Sequence, residues 1–196
     1  MSTSNLHRLY FAHAVNTYNT PFESAALRLI AKILPGVEIE NPNQPHHQVG
    51  YKKWAERVRE RDTAHKGMSY FFDEVLPHCG GCIAMPFLDG RIGLGVAGEA
   101  RWFLEKKLPV WAIMPMEDLS PERIEGFVTD PDNGLFQVRL LMESEEDKLR
   151  NQDPVLVVPH EETRLRTWIV YNRLMRPYQT AHEVSMPIPE GFYPEK

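Results

Sequence analysis

Apolar residues lie along the chain in two patterns: short dense runs, and longer segments in which they recur every three or four positions. The short runs fall at residues 8–14 (RLYFAHA), 37–40 (VEIE), 82–86 (CIAMP), 109–114 (PVWAIM), 134–142 (GLFQVRLLM) and 154–158 (PVLVV), and each predicts a strand. Between them lie helical patterns. Thr20-Pro21-Phe22-Glu23 reads as a helix start, with Thr20 as N-cap, Pro21 in the first position and Glu23 closing a capping box. That helix runs to about Leu34, with Phe22, Ala26, Leu29, Ile30 and Ile33 on one face, and Pro35-Gly36 stops it. Residues 43–48, with His46 and His47, read as a loop before a charged helix at 50–61. A further helix at 66–78 turns Met68, Phe71, Phe72, Val75 and Leu76 inward. Ser120-Pro121-Glu122 opens a short helix, and residues 161–174 form a terminal one. Strands alternating with helices imply right-handed crossovers and a largely parallel sheet covered on both faces.

The organising stretch is residues 82–100, where a short apolar run enters a segment carrying Gly90, Gly93, Gly95 and Gly98. Glu99 follows the last glycine and opens an amphipathic segment reaching Lys106, before the apolar run at 110–114. The pattern is strand, loop, helix, strand. Ligands of open α/β sheets bind beyond the carboxyl ends of the strands, which is where this reading puts Glu99. An acid at a helix N-terminus meets unpaired amides and the positive end of the dipole, and both favour its ionised form. An ionised carboxylate beside glycines suits a nucleophile that attacks a sugar carbon. The plainer alternative is an acid that only complements the helix dipole. Asp73 and Asp89 are candidates for a second acid that binds or protonates a leaving base, although Asp73-Glu74 also fits a solvated helix face.

At 196 residues, 42% hydrophobic and 25% charged, the composition is that of one ordinary globular domain. A net charge of −5 argues against a nucleic-acid polymer as partner. No apolar run is long enough for a membrane span, residues 1–7 lack the apolar core of a signal peptide, and two cysteines suit a reducing cytoplasm. Four of the 16 prolines lie after Arg176, so that tail is expected to wrap over the body or a partner.

Cys79-Gly80-Gly81-Cys82 is a C-x-x-C, but it closes a helix and enters a strand, so Cys82 should be buried and redox-inert. A zinc site there would need two more ligands, and His78, His46 and His47 fit no standard spacing. No metal or other cofactor is therefore expected. His46 and His47 suit a loop on the ligand side, Trp54 and Trp102 suit core or interface, and Arg164 and Arg166 the wet side of the last helix. The glycines do not match the G-x-G-x-x-G dinucleotide fingerprint.

Several of these pieces together resemble the nucleoside 2-deoxyribosyltransferase family, including its nucleotide N-glycosidase branch. Tyr10-Phe11-Ala12 is similar to the family's first strand, which carries a tyrosine near the nucleophile. Asp73 is similar in placement to an aspartate that contacts the base, Gly93-Leu94-Gly95-Val96-Ala97-Gly98-Glu99 to the glycine-rich loop and catalytic glutamate, and residues 106–115 to the strand that follows. The resemblance covers residues 9 to about 118. It implies a flavodoxin-like or Rossmann-like three-layer α/β sandwich with a mostly parallel sheet of about five strands. It divides the chain into a core at 1–118 and an elaboration at 119–196 that completes the same domain. It also implies that Glu99 attacks the anomeric carbon, Tyr10 orients it and Asp73 handles the base, with His13, Phe11, Asp89, Gly93 and Gly95 binding substrate. The implied partners are a small nucleoside or nucleotide and further copies of the chain, as a homodimer or larger homo-oligomer. Three places depart from the family pattern: His13 replaces a small residue, Gly93 replaces an acid, leaving Asp89 as the nearest substitute, and Ala100-Arg101-Trp102 alters the small-residue pattern after the glutamate. The first two favour hydrolysis over transfer, with a non-catalytic nucleotide-sensing domain as the rival reading.

Overall fold

The computed structural model describes residues 7–58, 68–87, 90–116 and 121–158. A five-stranded sheet is built from β1 (Arg8–Ala12), β2 (Glu38–Glu40), β3 (Cys82–Ala84), β5 (Val110–Pro115) and β6 (Phe136–Leu140), while β4 (Ile92–Gly93) stands outside it. Its order is β2-β1-β3-β5-β6. The first four strands are parallel and β6 is antiparallel to β5. This is an α/β, flavodoxin-like three-layer arrangement.

The alternation of side chains along the strands sorts the core into two layers. Tyr10, Ala12, Cys82, Ala84, Val110 and Ala112 point to one face. Helices α2 (Pro45–Val58), α3 (Ser69–Glu74), α4 (Leu94–Glu105) and α6 (Glu143–Arg150) cover it. Leu9, Phe11, Ile83 and Ile113 point to the other, under α1 (Pro21–Ile33) and α5 (Pro121–Thr129). Burial on both faces explains why the strands read as continuous apolar runs rather than alternating ones. Among the described residues no helix is long and apolar enough to cross a membrane.

The helices differ from the sequence reading at several points, each with a physical reason. Thr20 Oγ1 accepts the Glu23 amide at 3.2 Å, as expected of the N-cap. The Glu23 carboxylate does not complete a capping box with Thr20, because it takes the Asn19 amide and three side-chain partners instead. Ile33, expected on the buried face of α1, is 42% exposed. Helix α2 starts at Pro45, not at Gly50, so His46 and His47 lie in its first turn rather than in a loop. Proline is pre-set for the first helical position. The expected helix at 66–78 is α3 followed by a 3₁₀ turn at Leu76–His78, where Pro77 cannot continue the α-helical ladder.

Helix α4 begins at Leu94, five residues before Glu99, and therefore includes two of the supposed loop glycines. Each glycine costs about 1 kcal/mol in a helix interior, and packing overrides that local preference. Helix α6 has no counterpart in the sequence pattern: of its residues only Glu145 and Leu149 are buried, so it carries no apolar stripe. Glu145 anchors it by a bidentate pair with Arg139 at 2.7 and 2.8 Å. The expected strand at 154–158 is reduced to β7 (Val157–Val158), which pairs with β4. The predicted helix at 161–174 and the tail after Arg176 lie outside the described residues.

Gly81 enters β3 where the backbone is crowded: a Cβ there would lie 2.7 Å from the Pro109 carbonyl oxygen and 3.0 Å from the Leu9 side chain. Backbone cannot give way as a flexible side chain can. Gly81→Ala is therefore expected to cost about 2 kcal/mol, read as a lower urea midpoint at unchanged m-value.

Candidate functional site

The chain leaves β1 for β2 on one side and returns to β3 on the other, so the strand order reverses between β1 and β3. In such sheets ligands bind beyond the carboxyl ends of the strands at that reversal. Register places Tyr10 beside Cys82 of β3 and Glu40 of β2, all on the face covered by α2, α3 and α4. On α4, Glu99 and Phe103 are one turn apart and share a face. The Tyr10 ring packs against Phe103 and Phe71, with centroids 6.5 and 6.2 Å away. Its hydroxyl donates to Glu99 Oε1 at 2.7 Å in the interior. The structure thus joins the two residues that the resemblance had paired.

Glu99 does not open its helix. It lies in the second turn of α4, roughly 7–8 Å along the axis from the first residue, where the amides bond within the helix. Helical side chains tilt toward the N-terminus, so its carboxylate leans back toward the carboxyl edge of the sheet. The expected ionisation by a helix end fails with this placement. Burial pushes the Glu99 carboxyl up to about 8, and the hydrogen bond from Tyr10 offsets only part of that rise. The Tyr10 phenol is itself raised well above its ordinary value, by burial first and then by the Glu99 charge.

A second buried carboxylate, Glu23, closes the ends of β1 and β2. It faces His13 Nε2 at 3.1 Å, Asn41 Nδ2 at 2.8 Å and Asn43 Nδ2 at 3.1 Å. Burial pushes Glu23 up, but the hydrogen bonds from His13 and Asn41 outweigh it and hold the group below the usual range. His13 also sets Nδ1 3.0 Å from the Phe11 carbonyl oxygen, and its ring stacks on Phe11 at 4.2 Å. Tyr18 packs on His13, and its phenol is raised by burial and by the charges of both Glu99 and Glu23. One carboxylate driven up and another held down, with one tyrosine sensing both, is the arrangement that separates acid from base roles.

The other named residues fall elsewhere. Phe11 is buried under α1 and α5, on the face opposite Tyr10, so it supports His13 from beneath and does not line the crevice. Gly93 is the N-cap of α4 with an ordinary φ of −65°, and having no side chain it makes no side-chain cap. Gly95 and Gly98 lie inside α4, and a Cβ at either would make only ordinary contacts with Met68 or Phe72. Asp73 is exposed and shares a surface hollow with Pro77, Cys79, Trp102, Lys106 and Leu108, whose residues precede β3 and β5. A helix leading into a parallel strand ends at that strand's amino edge, so Asp73 does not approach the edge expected of it. Burial and Tyr10, not Asp73, set the state of Glu99. Asp89 lies outside the described residues.

No family model matches this chain, and neither does any curated protein or solved structure.

Cys79 and Cys82 are free, buried thiols. Burial pushes Cys79 up to about 12 and Cys82 well above its ordinary value, so neither supplies a thiolate at neutral pH. Trp54 is buried in the core, whereas Trp102 is half-buried with Lys106 Nζ 4.5 Å over its ring. The sequence reading missed Glu23 and Asn41 as site neighbours because capping and a strand end explained them locally. Tyr18 gave no signal, since it sits in a polar turn between two well-marked elements.

Proposed function

We propose that this chain breaks the N-glycosidic bond of a nucleoside or nucleotide through a covalent intermediate on Glu99. The observation that carries this reading is the buried Tyr10–Glu99 hydrogen bond on the elements that flank the strand reversal. In the first step an ionised Glu99 oxygen bonds to the anomeric carbon. The carbon–nitrogen bond breaks, and the base leaves with its electron pair and takes a proton from solvent water. In the second step water attacks the same carbon, gives up a proton to solvent and releases Glu99 as the carboxylate, while a second free base attacking in place of water, with loss of its own N–H proton, gives exchange. Tyr10 stabilises the ionised carboxylate by donating to it. Hydrolysis is favoured over transfer, on the absence of an acid at Gly93 and the presence of His13. Asp73 is given no step.

Incubation with a panel of nucleosides and nucleoside monophosphates, with and without added free base, tests the proposal by chromatography of the products. Released base that vanishes in Glu99→Ala supports it, and a new nucleoside formed only with added base makes the reaction a transfer. A thermal shift without turnover fits a nucleotide-sensing domain instead.

The raised Glu99 sets a pH profile. Only the ionised carboxylate attacks, so kcat/KM is expected to climb as pH rises toward about 8 and then level. Tyr10→Phe removes the bond that lowers Glu99. It should move the climb to higher pH and slow turnover at pH 7 by about tenfold for each unit moved. A profile unchanged by Tyr10→Phe would count against the pairing having a role in catalysis.

A further inference from the structure

Three side chains that the proposed reaction does not use converge at the end of β2. Glu40 is the last residue of that strand, and Asn41-Pro42 turns the chain away from it. Pro45 then starts α2 and folds His46 and His47 back over the strand end. Both imidazoles reach the same oxygen: His47 Nε2 lies 2.8 Å and His46 Nε2 3.2 Å from Glu40 Oε1. The three donor atoms all lie within 4.8 Å of one another.

We propose that Glu40, His46 and His47 form a binding site for one divalent transition-metal ion of the zinc type. Zinc bonds of about 2.0–2.2 Å in a tetrahedral array set ligand atoms about 3.3 Å apart, close to the 2.8 and 3.2 Å between Glu40 Oε1 and the two imidazole nitrogens. Two nitrogens and one carboxylate oxygen suit zinc, copper or nickel rather than magnesium or calcium. Three protein ligands leave a fourth position open. That opening is on the His46 side, because the His46 side chain is 63% exposed while that of His47 is 4% exposed.

The surrounding residues hold the ligands as an outer shell does at metal centres. Arg8 Nη1 holds Glu40 Oε2 at 3.1 Å, leaving Oε1 for the ion. Tyr70 Oη lies 3.3 Å from His47 Nδ1, which fixes the ring so that Nε2 points at Glu40. Gly50 makes this possible, since any Cβ at that position would run into the Tyr70 hydroxyl. Phe71 lies between this cluster and the Tyr10–Glu99 pair, with its centroid 5.4 Å from that of His47 and 6.2 Å from that of Tyr10. The site is thus a neighbour of Glu99 but walled off from it, and it stands whether or not Glu99 cleaves a glycosidic bond.

The test is a titration of the chelator-treated protein with Zn²⁺ and Co²⁺, with bound metal counted after gel filtration. One equivalent should bind at a Kd on the order of 1 µM or tighter. His46→Ala, at an exposed position that does not endanger the fold, should weaken binding by at least about tenfold, and the near-isosteric Glu40→Gln should do the same. Cys79→Ala should leave binding unchanged, and the Co²⁺ spectrum should lack a thiolate charge-transfer band. Circular dichroism checks that each variant is folded. The proposal is overturned by absence of binding, by binding undiminished in both His46→Ala and Glu40→Gln, or by binding that depends on Cys79.

Discussion

Glu99→Gln is expected to abolish base release and, at the same time, to stabilise the folded protein at alkaline pH. The first effect follows from the role proposed for Glu99: an amide in place of the nucleophilic carboxylate does not form the glycosyl bond, and turnover should fall by at least about 10³-fold. The second follows from burial. The folded state keeps the Glu99 proton to about pH 8, whereas the unfolded chain releases it near its ordinary value of 4.5. Between those values the folded state binds more protons, so stability is greatest below the lower value and falls as pH rises through the upper one. The amide that replaces the carboxyl in this variant carries no charge at any pH and still accepts from Tyr10. Urea unfolding at pH 5 should therefore give similar stability for both proteins, and at pH 8.5 the variant should lead by on the order of 3 kcal/mol. Full turnover in Glu99→Gln, or no alkaline gain, would refute the placement of Glu99 as a buried reacting acid.

His13→Ala should have the next largest effect, this time on stability. It strips the histidine partner from Glu23, a carboxylate whose side chain is only 5% exposed. Leaving a buried carboxylate short of a hydrogen-bond partner costs about 3–4 kcal/mol, because the charge has neither water nor that partner to replace it. Asn41 and Asn43 still donate to Glu23, so the lower end of that range applies here. The sign of the pH dependence is opposite to that of Glu99. Glu23 is held below its ordinary value, so its network contributes above that value and the contribution is lost as pH falls through the folded-state value. The gap between wild type and variant should be wide at pH 7 and narrow in acid. A gap of constant width would mean that His13 acts through packing on Phe11 and Tyr18 alone.

The parallel strands were legible in the sequence because burial on two faces forces near-continuous apolar runs such as 8–12 and 110–114, and turns such as Pro35-Gly36 mark their limits. What the sequence hid was set by tertiary packing. The start of α4 was obscured by Gly95 and Gly98, whose low helix propensity reads as loop. Helix α6 was obscured by its charge, since Leu149 and a salt-bridged Glu145 are too few anchors to make a period. Glu99 could be picked out as an acid after a strand and glycines, but its charge state could not, because that depends on how deeply α4 is sunk against Tyr10. Asp73 was attractive only while the direction of α3 toward the sheet was unknown. The convergence of Glu40 with His46 and His47 depends on a turn at Asn41-Pro42, which spacing alone does not reveal.

The pairing of Ile92 and Gly93 with Val157 and Val158 has a bearing on how the protein is made. Ribosomes deliver a chain from its amino end, and domains acquire contacts as their partners emerge. Strands β1, β2, β3 and β5 are all delivered well before Val157, whereas the two residues that set the start of α4 must wait for it. Long-range contacts of this kind are the slow ones. A nascent chain therefore holds most of its sheet before the start of α4, and with it the setting of Glu99, is fixed in place.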